Sequence, residues 1–338
     1  MIQKNKRIAI VILNYNGIKL LKKFLGSVIN FSDKKISSIY LVDNFSSDKS
    51  VEYVNNKYPS VTIIKNKINL GYSKGYNEAL KSIKSEYYIL LNSDVEVTKN
   101  WLNPLFDLME RNKNIAACQP KILSYKKKDY FEYAGASGGF IDKLGYPFCR
   151  GRIFETTERD YGQYDDRIEI FWASGCCLMI RSDIYQKLGG FDNYFFAHME
   201  EIDLCWRINN LNLKVYCEPK SKIYHLGSQT LKESDPKKTY LNFRNNLIMI
   251  LKNDLFINLL WKLPLRFILD FFAFIKLLMK KNSRYHGISV LKAYKDFILN
   301  FKLNFSKRNK NKGEPSIMYK NIIPMKYYLQ KIKKYTDL

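Results

Sequence analysis

The 338-residue chain holds six cysteines, Cys118, Cys149, Cys176, Cys177, Cys205 and Cys217, and none form a Cys-x-x-Cys pair. The usual spacing of a structural zinc site is therefore missing. No Gly-x-Gly-x-x-Gly follows the first strand-like run and no P-loop is present, which argues against a nicotinamide enzyme, a kinase or an NTPase. No uninterrupted apolar stretch approaches the ~20 residues needed to span a bilayer. The first apolar run, from Ile8, is only about seven residues long, too short for a secretory signal. There is no internal repeat. The expectation is a reducing, cytoplasmic setting with free thiols, most of them buried.

Acidic residues are also scarce. Asp and Glu number 32 against 56 Lys and Arg, for a formal net charge of +24. Such a balance calls for an anionic partner: nucleic acid, acidic lipid or a phosphorylated substrate. Hydrophobic residues make up 46% of the chain, enough for a sizeable core.

The first 120 residues alternate strand and helix signals. Strands are expected at Ile8–Leu13, Ile39–Val42, Val61–Ile64, Tyr87–Leu91 and Ile115–Cys118. Helices are expected at Ile18–Asn30, Ser47–Lys57, Ser73–Lys84 and Trp101–Asn112. This alternation predicts an α/β fold, a mostly parallel central sheet flanked by helices. Residues 121–170 break the rhythm and read as a loop or hairpin excursion. Regular signals return at Phe171–Ala173 and Cys176–Ile180. A helix capped by Ser182 or Asp183, another over Glu201–Asn209 and a strand over Leu213–Cys217 follow.

From about Tyr240 the character changes. The last 99 residues carry 20 Lys/Arg and 5 Asp/Glu among Phe, Trp, Leu and Ile. The most apolar part, Leu247–Met279, is interrupted by Lys252, Asp254, Lys262, Arg266, Asp270 and Lys276 and contains Pro264. Two readings stay open: a helix lying in a membrane interface, or an ordinary helical subdomain with a solvated basic face. Residues 306–315 read as a linker. The expected organisation is one domain over 1–238, with halves at about 1–120 and 121–238, and a basic, helical C-terminal extension over 239–338.

Four loops line up at the carboxyl ends of the predicted strands, where open α/β sheets bind ligands. They are Asn14-Tyr15-Asn16-Gly17, Asp43-Asn44-Phe45-Ser46-Ser47-Asp48, Asn69-Leu70-Gly71 through Asn77, and Asn92-Ser93-Asp94. Each singly reads as a turn. Together they suit a nucleotide. Gly71 and Gly75 allow close backbone approach, and a helix N-terminus there favours anions. Asp43 can accept from a base N–H or a ribose hydroxyl. Asp94, at the end of an apolar strand, is well placed to hold a divalent metal against a diphosphate.

A second block follows: Trp172, Gly175, Gly189-Gly190-Phe191-Asp192, Phe195-Phe196, Glu200-Glu201-Ile202-Asp203-Leu204-Cys205-Trp206-Arg207 and His225-Leu226-Gly227-Ser228. In order and spacing, both blocks resemble the family 2 inverting glycosyltransferases of the GT-A fold over about residues 7–230. Within that family the chain is most similar to the rhamnosyltransferase-like subgroup of bacterial surface-polysaccharide assembly.

The resemblance implies roles. Asn14, Tyr15, Asn16, Asp43, Asn69, Gly71, Asn77 and Asn92 would bind or shape the nucleotide-sugar site. Asn92-Ser93-Asp94 would occupy the place of the Asp-x-Asp metal motif, with Asp94 and His225 as ligands of a divalent metal, Mg or Mn. Trp172, Gly175, His198 and Arg207 would lie on the acceptor side. The family's Glu-Asp-x-Asp block reads Glu200-Glu201-x-Asp203 here, so the base is Glu201 or Glu200, with Asp203 the next candidate. The implied donor is a dTDP- or UDP-sugar. The implied acceptor is a saccharide or a polyprenyl-diphosphate-linked saccharide, reached at the inner face of the cell membrane, with the basic extension on an anionic membrane surface. The rival reading is a non-catalytic sugar-nucleotide-binding assembly subunit. Nucleic acid is not expected as a partner, because the basic residues concentrate in the tail, away from the strand-end loops.

Overall fold

A computed structural model describes residues 6–227, 234–308 and 315–338. The chain opens with β1 (Ile8–Asn14), α1 (Ile18–Phe31), β2 (Ser37–Asp43), α2 (Ser50–Lys57), β3 (Thr62–Lys65), α3 (Gly71–Leu80) and β4 (Tyr87–Asn92). Apolar runs such as Ile8–Ile12 and Tyr87–Leu91 are buried on both faces, as strands between two helical layers require. The order β3-β2-β1-β4 is parallel throughout. Its register pairs Asn14 with Asp43, Leu13 with Asn92 and Asp43 with Lys65. The polar strand-end residues therefore stand side by side at one edge.

The second half completes the sheet. After β5 (Val95–Val97) and α4 (Leu102–Arg111), β6 runs over Ile115–Ser124, longer than the expected Ile115–Cys118. Polar Gln119 and Lys121 hid the continuation; both are buried in it. Residues 121–170 are more structured than a loop. β7 (Gly139–Ile141), β8 (Pro147–Cys149), β9 (Arg152–Ile153) and β10 (Thr156–Thr157) form a small antiparallel sheet. β11 (Ile168–Ile170) and β12 (Cys177–Arg181) join the main sheet. α5 (Ser182–Lys187) follows Arg181, with neither Ser182 nor Asp183 capping it through a side chain. α6 (Glu200–Asn209) precedes β13, which spans Lys214–His225 rather than stopping at Cys217. A register shift between Glu218 and Lys222 lets β13 follow β6 to its end, with His225 opposite Ser124. By paired residues the sheet is mostly parallel and flanked by helices, the architecture expected from the resemblance.

The C-terminal region holds α7 (Pro236–Asn253), α8 (Phe256–Met279), α9 (Arg284–Leu299) and α10 (Phe301–Ser306). Asp235 caps α7, accepting from the Lys237 N–H at 2.8 Å. Leu247–Leu251 of α7 belong to the same apolar core as Phe171, Leu204 and Trp206. The expected boundary at 238 thus falls inside a helix whose inner face packs on the half expected over 121–238. Residues 315–338 also return to the body, with Tyr335 against Phe140 and Phe148. Residues 309–314 of the expected linker lie outside the described residues. All six cysteines are buried and unpaired. Among the described residues, no helix is long and apolar enough to cross a membrane.

Candidate active site

The strand-end edge is built by side chains that tie the loops to one another. Asn14 Nδ2 donates to the Ser46 and Ser50 hydroxyls at 3.2 and 3.0 Å. Asn16, in the left-handed region at φ 50°, accepts the Ser47 N–H at 2.8 Å. Asp48 accepts the first N–H of α1, from Ile18, at 2.9 Å, and that of Ser50 at 3.0 Å, which explains why α2 starts at Ser50 and not Ser47. Asn44 links the next loop, donating to Asn69 Oδ1 at 3.0 Å and to the Gly71 carbonyl at 3.1 Å. Asn69 also accepts the Gly71 N–H at 3.0 Å. Gly71 has φ +73°, and a Cβ there would come within 2.5 Å of the Phe196 ring, so no other residue fits.

Three oxygens in this frame, Asn14 Oδ1, Asp43 Oδ1 and Ser73 Oγ, are buried without a partner. Asp43 is 5% exposed; its Oδ2 accepts from Ser46 N–H at 3.3 Å, while Oδ1 is buried and unbonded. A buried carboxylate oxygen left open is what a ligand N–H or hydroxyl would satisfy. Tyr15 and Phe45 expose their rings on the two loops beside it.

Asp94 and His225 meet because β5 pairs with β13 in a register that sets Val95 opposite His225. Asp94 Oδ1 lies 3.1 Å from His225 Nε2, and both residues are buried. The other imidazole nitrogen, Nδ1, lies 3.3 Å from Glu132 Oε1. Glu132 arrives there because the chain turns back after β6, with Phe131 bridging Leu123. Burial alone would lower the His225 value; the facing carboxylates of Asp94 and Glu132 outweigh it and hold the imidazole well above its ordinary range. Burial pushes Asp94 up, and the His225 charge more than reverses this. Carboxylate and imidazole together suit a divalent ion such as Mn. Among the described residues, no group of three His, Cys, Asp or Glu is arranged to hold a metal. The pair would therefore supply two ligands and leave the rest to phosphate oxygens and water. Asn92 is half-buried beside it, its N–H bonded to the Cys176 carbonyl at 2.9 Å. Ser228 lies outside the described residues.

The two glutamates begin α6, where the helix dipole favours negative charge. The helix starts at Glu200, one residue before the expected Glu201. The turn before it is sharp: His198 and Met199 both have left-handed φ, 70° and 72°. Asn245 of α7 holds that turn, donating to the Ala197 and His198 carbonyls at 3.0 and 2.7 Å. Glu200 is 5% exposed, and Glu201 is the more open of the two. Burial, then the Glu201 charge, raises Glu200 well above the ordinary carboxylate range. Burial raises Glu201 to about 7, against backbone N–H donors that favour its ionised form. The Gly175–Cys176 segment joins the two halves of the site. A Cβ on Gly175 would lie 3.8 Å from Glu201 Cβ and 2.9 Å from the Tyr72 hydroxyl, which donates to the Gly175 carbonyl at 2.6 Å. Cys176, the next residue, feels the charges of His225 and Glu132.

Several expected site residues serve the frame instead. Asp203 is fully buried, paired with Lys252 at 2.9 Å and Arg207 at 3.0 Å and bonded by Asn253 at 2.7 Å, so it has no freedom to take a proton from a substrate. Arg207, expected on the acceptor side, is spent on Asp203 and on the Leu188 and Gly190 carbonyls, each at 2.8 Å. Trp172 fills the core and donates to the Phe140 carbonyl at 2.9 Å. Asn77, expected beside the nucleotide, is saturated by the Phe191 backbone, Asn193 and Tyr185. His198 is half-buried with its Nε2 buried and unpaired, and burial, then Lys238, lowers it to about 4, so it is neutral. Sequence reasoning missed Glu132 and Asn245. Neither lies in a motif, and only the topology brings them to the site.

Residues 9–189 match the family described as Glycosyl transferase family 2. The N-acetylglucosaminyl-diphospho-decaprenol L-rhamnosyltransferase of Mycobacterium tuberculosis is 26% identical over 240 residues, 65% of this chain and 76% of that protein. The low-salt glycan biosynthesis hexosyltransferase Agl10 of Haloferax volcanii is 22% identical over 247 residues, 71% of this chain and 74% of that one. Among solved structures, GalNAc-T7 with UDP, GalNAc and Mn2+ has a TM-score of 0.59 at 15% identity, covering 91% of this chain and 60% of that one. TarS 1–349 of S. aureus has a TM-score of 0.53 at 15% identity, covering 85% of this chain and 80% of that one. The chain thus spans less than two thirds of the GalNAc-T7 structure, and the structural likeness bears on the fold alone. The sequence match, over more than half of the chain, carries the assignment: this protein belongs to glycosyl transferase family 2.

Proposed function

We propose that the protein is an inverting glycosyltransferase that moves a sugar from a dTDP- or UDP-sugar to a hydroxyl of a lipid-linked saccharide, with Glu201 as the base. The observation that carries this reading is the state of Glu201. Its carboxyl oxygen Oε2 is buried without a hydrogen-bond partner, and burial holds the group at about 7 beside Gly175. A base tuned near neutral pH has the right affinity to take a hydroxyl proton and release it afterwards. The closed network around Asp203 leaves that residue no such part.

In this reading Asp43 Oδ1 accepts from the nucleobase or ribose. Asp94 and His225 would hold a divalent cation, which neutralises the charge of the departing diphosphate when bound. Glu132, 3.3 Å from His225 Nδ1, faces the ring from its far side as a charge rather than as a hydrogen-bond partner. Glu201 accepts the proton of the acceptor hydroxyl as its oxygen attacks the anomeric carbon from the face opposite the leaving group. One displacement inverts that centre. Tyr72, held protonated by burial and then by Tyr76 and the two glutamates, stays a hydrogen-bond donor and fixes the turn at Gly175.

A deoxyhexose such as rhamnose as the transferred sugar, and a polyprenyl-diphosphate-linked saccharide as acceptor, are supported by the name of the mycobacterial relative. The test is a panel of dTDP-, UDP- and GDP-sugars with Mn2+, read by donor hydrolysis and thermal shift. Turnover of one dTDP- or UDP-sugar supports the reading. Binding of a donor without hydrolysis or transfer to any lipid-linked acceptor would instead support the assembly-subunit alternative.

A further inference from the structure

α8 is amphipathic in the reverse of the usual sense. Its buried face carries Lys262, Arg266 and Asp270, each at most 2% exposed. Lys262 pairs with Asp254 at 2.6 Å. Arg266 pairs with Asp270 at 3.1 Å and donates to the Leu144 carbonyl at 2.9 Å. Tyr146 and Tyr294 each donate to Asp270 at 2.7 Å. Every charge on the helix between Phe256 and Ile275 is therefore turned inward and neutralised.

The outward face has no charge over those residues. It carries Ile257, Leu260, Phe267, Ile268, Phe271 and Phe272, with Phe272 65% exposed. At about 100° per residue these fall on the side opposite Lys262, Arg266 and Asp270. Side chains of this size leave on the order of 1,000 Å² of apolar surface in water along the helix. The largest apolar patch of an ordinary soluble monomer is about 300–600 Å². Directly after the apolar run come exposed Lys276, Lys280, Lys281 and Arg284.

We propose that this face docks on an anionic lipid bilayer surface. α8 would lie in the plane of the interface, its aromatic side among the acyl chains and the basic cluster on the headgroups. Charge selects this occupant. A second copy of a +24 chain would bring two basic rims together. A span is excluded for this helix, since it is not apolar enough to cross. The inward charges also have a purpose in this arrangement: Arg266 grips the Leu144 carbonyl and Asn246, so the docked helix is fixed to the body that carries the Asn245-held catalytic turn. The proposal goes beyond the transfer reaction and stands on the surface alone.

The test is vesicle co-sedimentation of the full chain. With phosphatidylglycerol vesicles the protein sediments; with phosphatidylcholine vesicles it binds at least about tenfold more weakly, and salt narrows the difference. The triple variant Phe267→Ser, Phe271→Ser, Phe272→Ser loses at least about tenfold in vesicle binding, each lost ring removing buried apolar area. Its melting curve and its donor hydrolysis in solution match the parent. Lys280→Gln with Lys281→Gln and Arg284→Gln abolishes the preference for the anionic vesicle. A parent chain that ignores phosphatidylglycerol vesicles, or a triple variant that binds them as well as the parent, overturns the proposal. A parent dimer that the triple variant converts to monomer, without vesicle binding, assigns the face to a second copy. Donor hydrolysis by the parent is scored separately, so failure of docking and failure of the transferase reading are distinct results.

Discussion

Lys252, near the end of α7, places its ammonium 2.9 Å from Asp203 Oδ1, on the catalytic helix one turn beyond Glu200. The same ammonium is 2.7 Å from Asp192, and Arg207 holds the other Asp203 oxygen. A helix from the expected C-terminal extension thus neutralises a buried carboxylate on the helix that begins with Glu200. Removing one partner of a buried pair leaves an uncompensated charge, at a cost of about 3–5 kcal/mol. Lys252→Met is expected to destabilise by about that much in urea unfolding, with Asp203→Asn similar in sign. For Asp203, burial raises the value, and Lys252 and Arg207 more than reverse it, leaving it below its ordinary 3.8. Its contribution is then present above pH 3.8 and lost only as pH falls through the lower folded-state value.

A chain ending at residue 239 should not fold. It lacks Leu247–Leu251 of the core as well as Lys252 and the Asn245 bonds to the catalytic turn. The expected outcome is aggregation, or loss of a cooperative melt, checked by calorimetry. A soluble, cooperatively melting product would mean that α7 is dispensable.

Metal binding should depend on three residues of unequal weight. Asp94→Asn and His225→Ala are expected to abolish Mn2+ binding followed by electron paramagnetic resonance. Glu132→Gln keeps both ligands but removes the charge 3.3 Å from His225 Nδ1, and should weaken Mn2+ by about 10–100-fold. Parent-like Mn2+ affinity in Glu132→Gln would reduce Glu132 to a packing residue.

The strand-end edge was legible in the sequence because a parallel sheet brings its strand ends together by construction. Asn14, Asp43 and Asn92 stand where that rule puts them. What the pattern could not reveal was which polar groups are already spent. Asn77 and Arg207 look like ligand binders in the sequence, yet each is saturated by backbone and side-chain groups that the fold brings to it. Glu132 shows the reverse. A carboxylate in an irregular stretch carries no signal until the turn after β6 sets it against His225. The apolar C-terminal run was ambiguous for a related reason. Its charges suggested a solvated face, and the structure turns those from Lys252 to Asp270 inward instead.

Glu201 should also leave a mark on stability. Its folded-state value of about 7 lies above its ordinary 4.5, so the folded protein holds that proton more tightly than the unfolded chain. The corresponding stability is fully present below about pH 4.5 and is lost as pH rises through about 7. The melting temperature of the ligand-free parent is expected to fall across that window. Glu201→Gln, which cannot ionise, should flatten the fall, leaving only the part that Glu200 contributes in the same direction.

The central claim is that Glu201 is the base, and the most direct measurement is the turnover of Glu201→Gln beside the parent on the donor and acceptor that the panel identifies. The account predicts loss of transfer by about a hundredfold or more, with donor affinity retained because Asp43, Asp94 and His225 are untouched. The parent rate should rise with pH and level off above about 7 as Glu201 ionises. Glu200→Gln should be milder. Turnover near the parent value in Glu201→Gln, with Glu200→Gln dead, would contradict the account and move the base one residue toward the helix start.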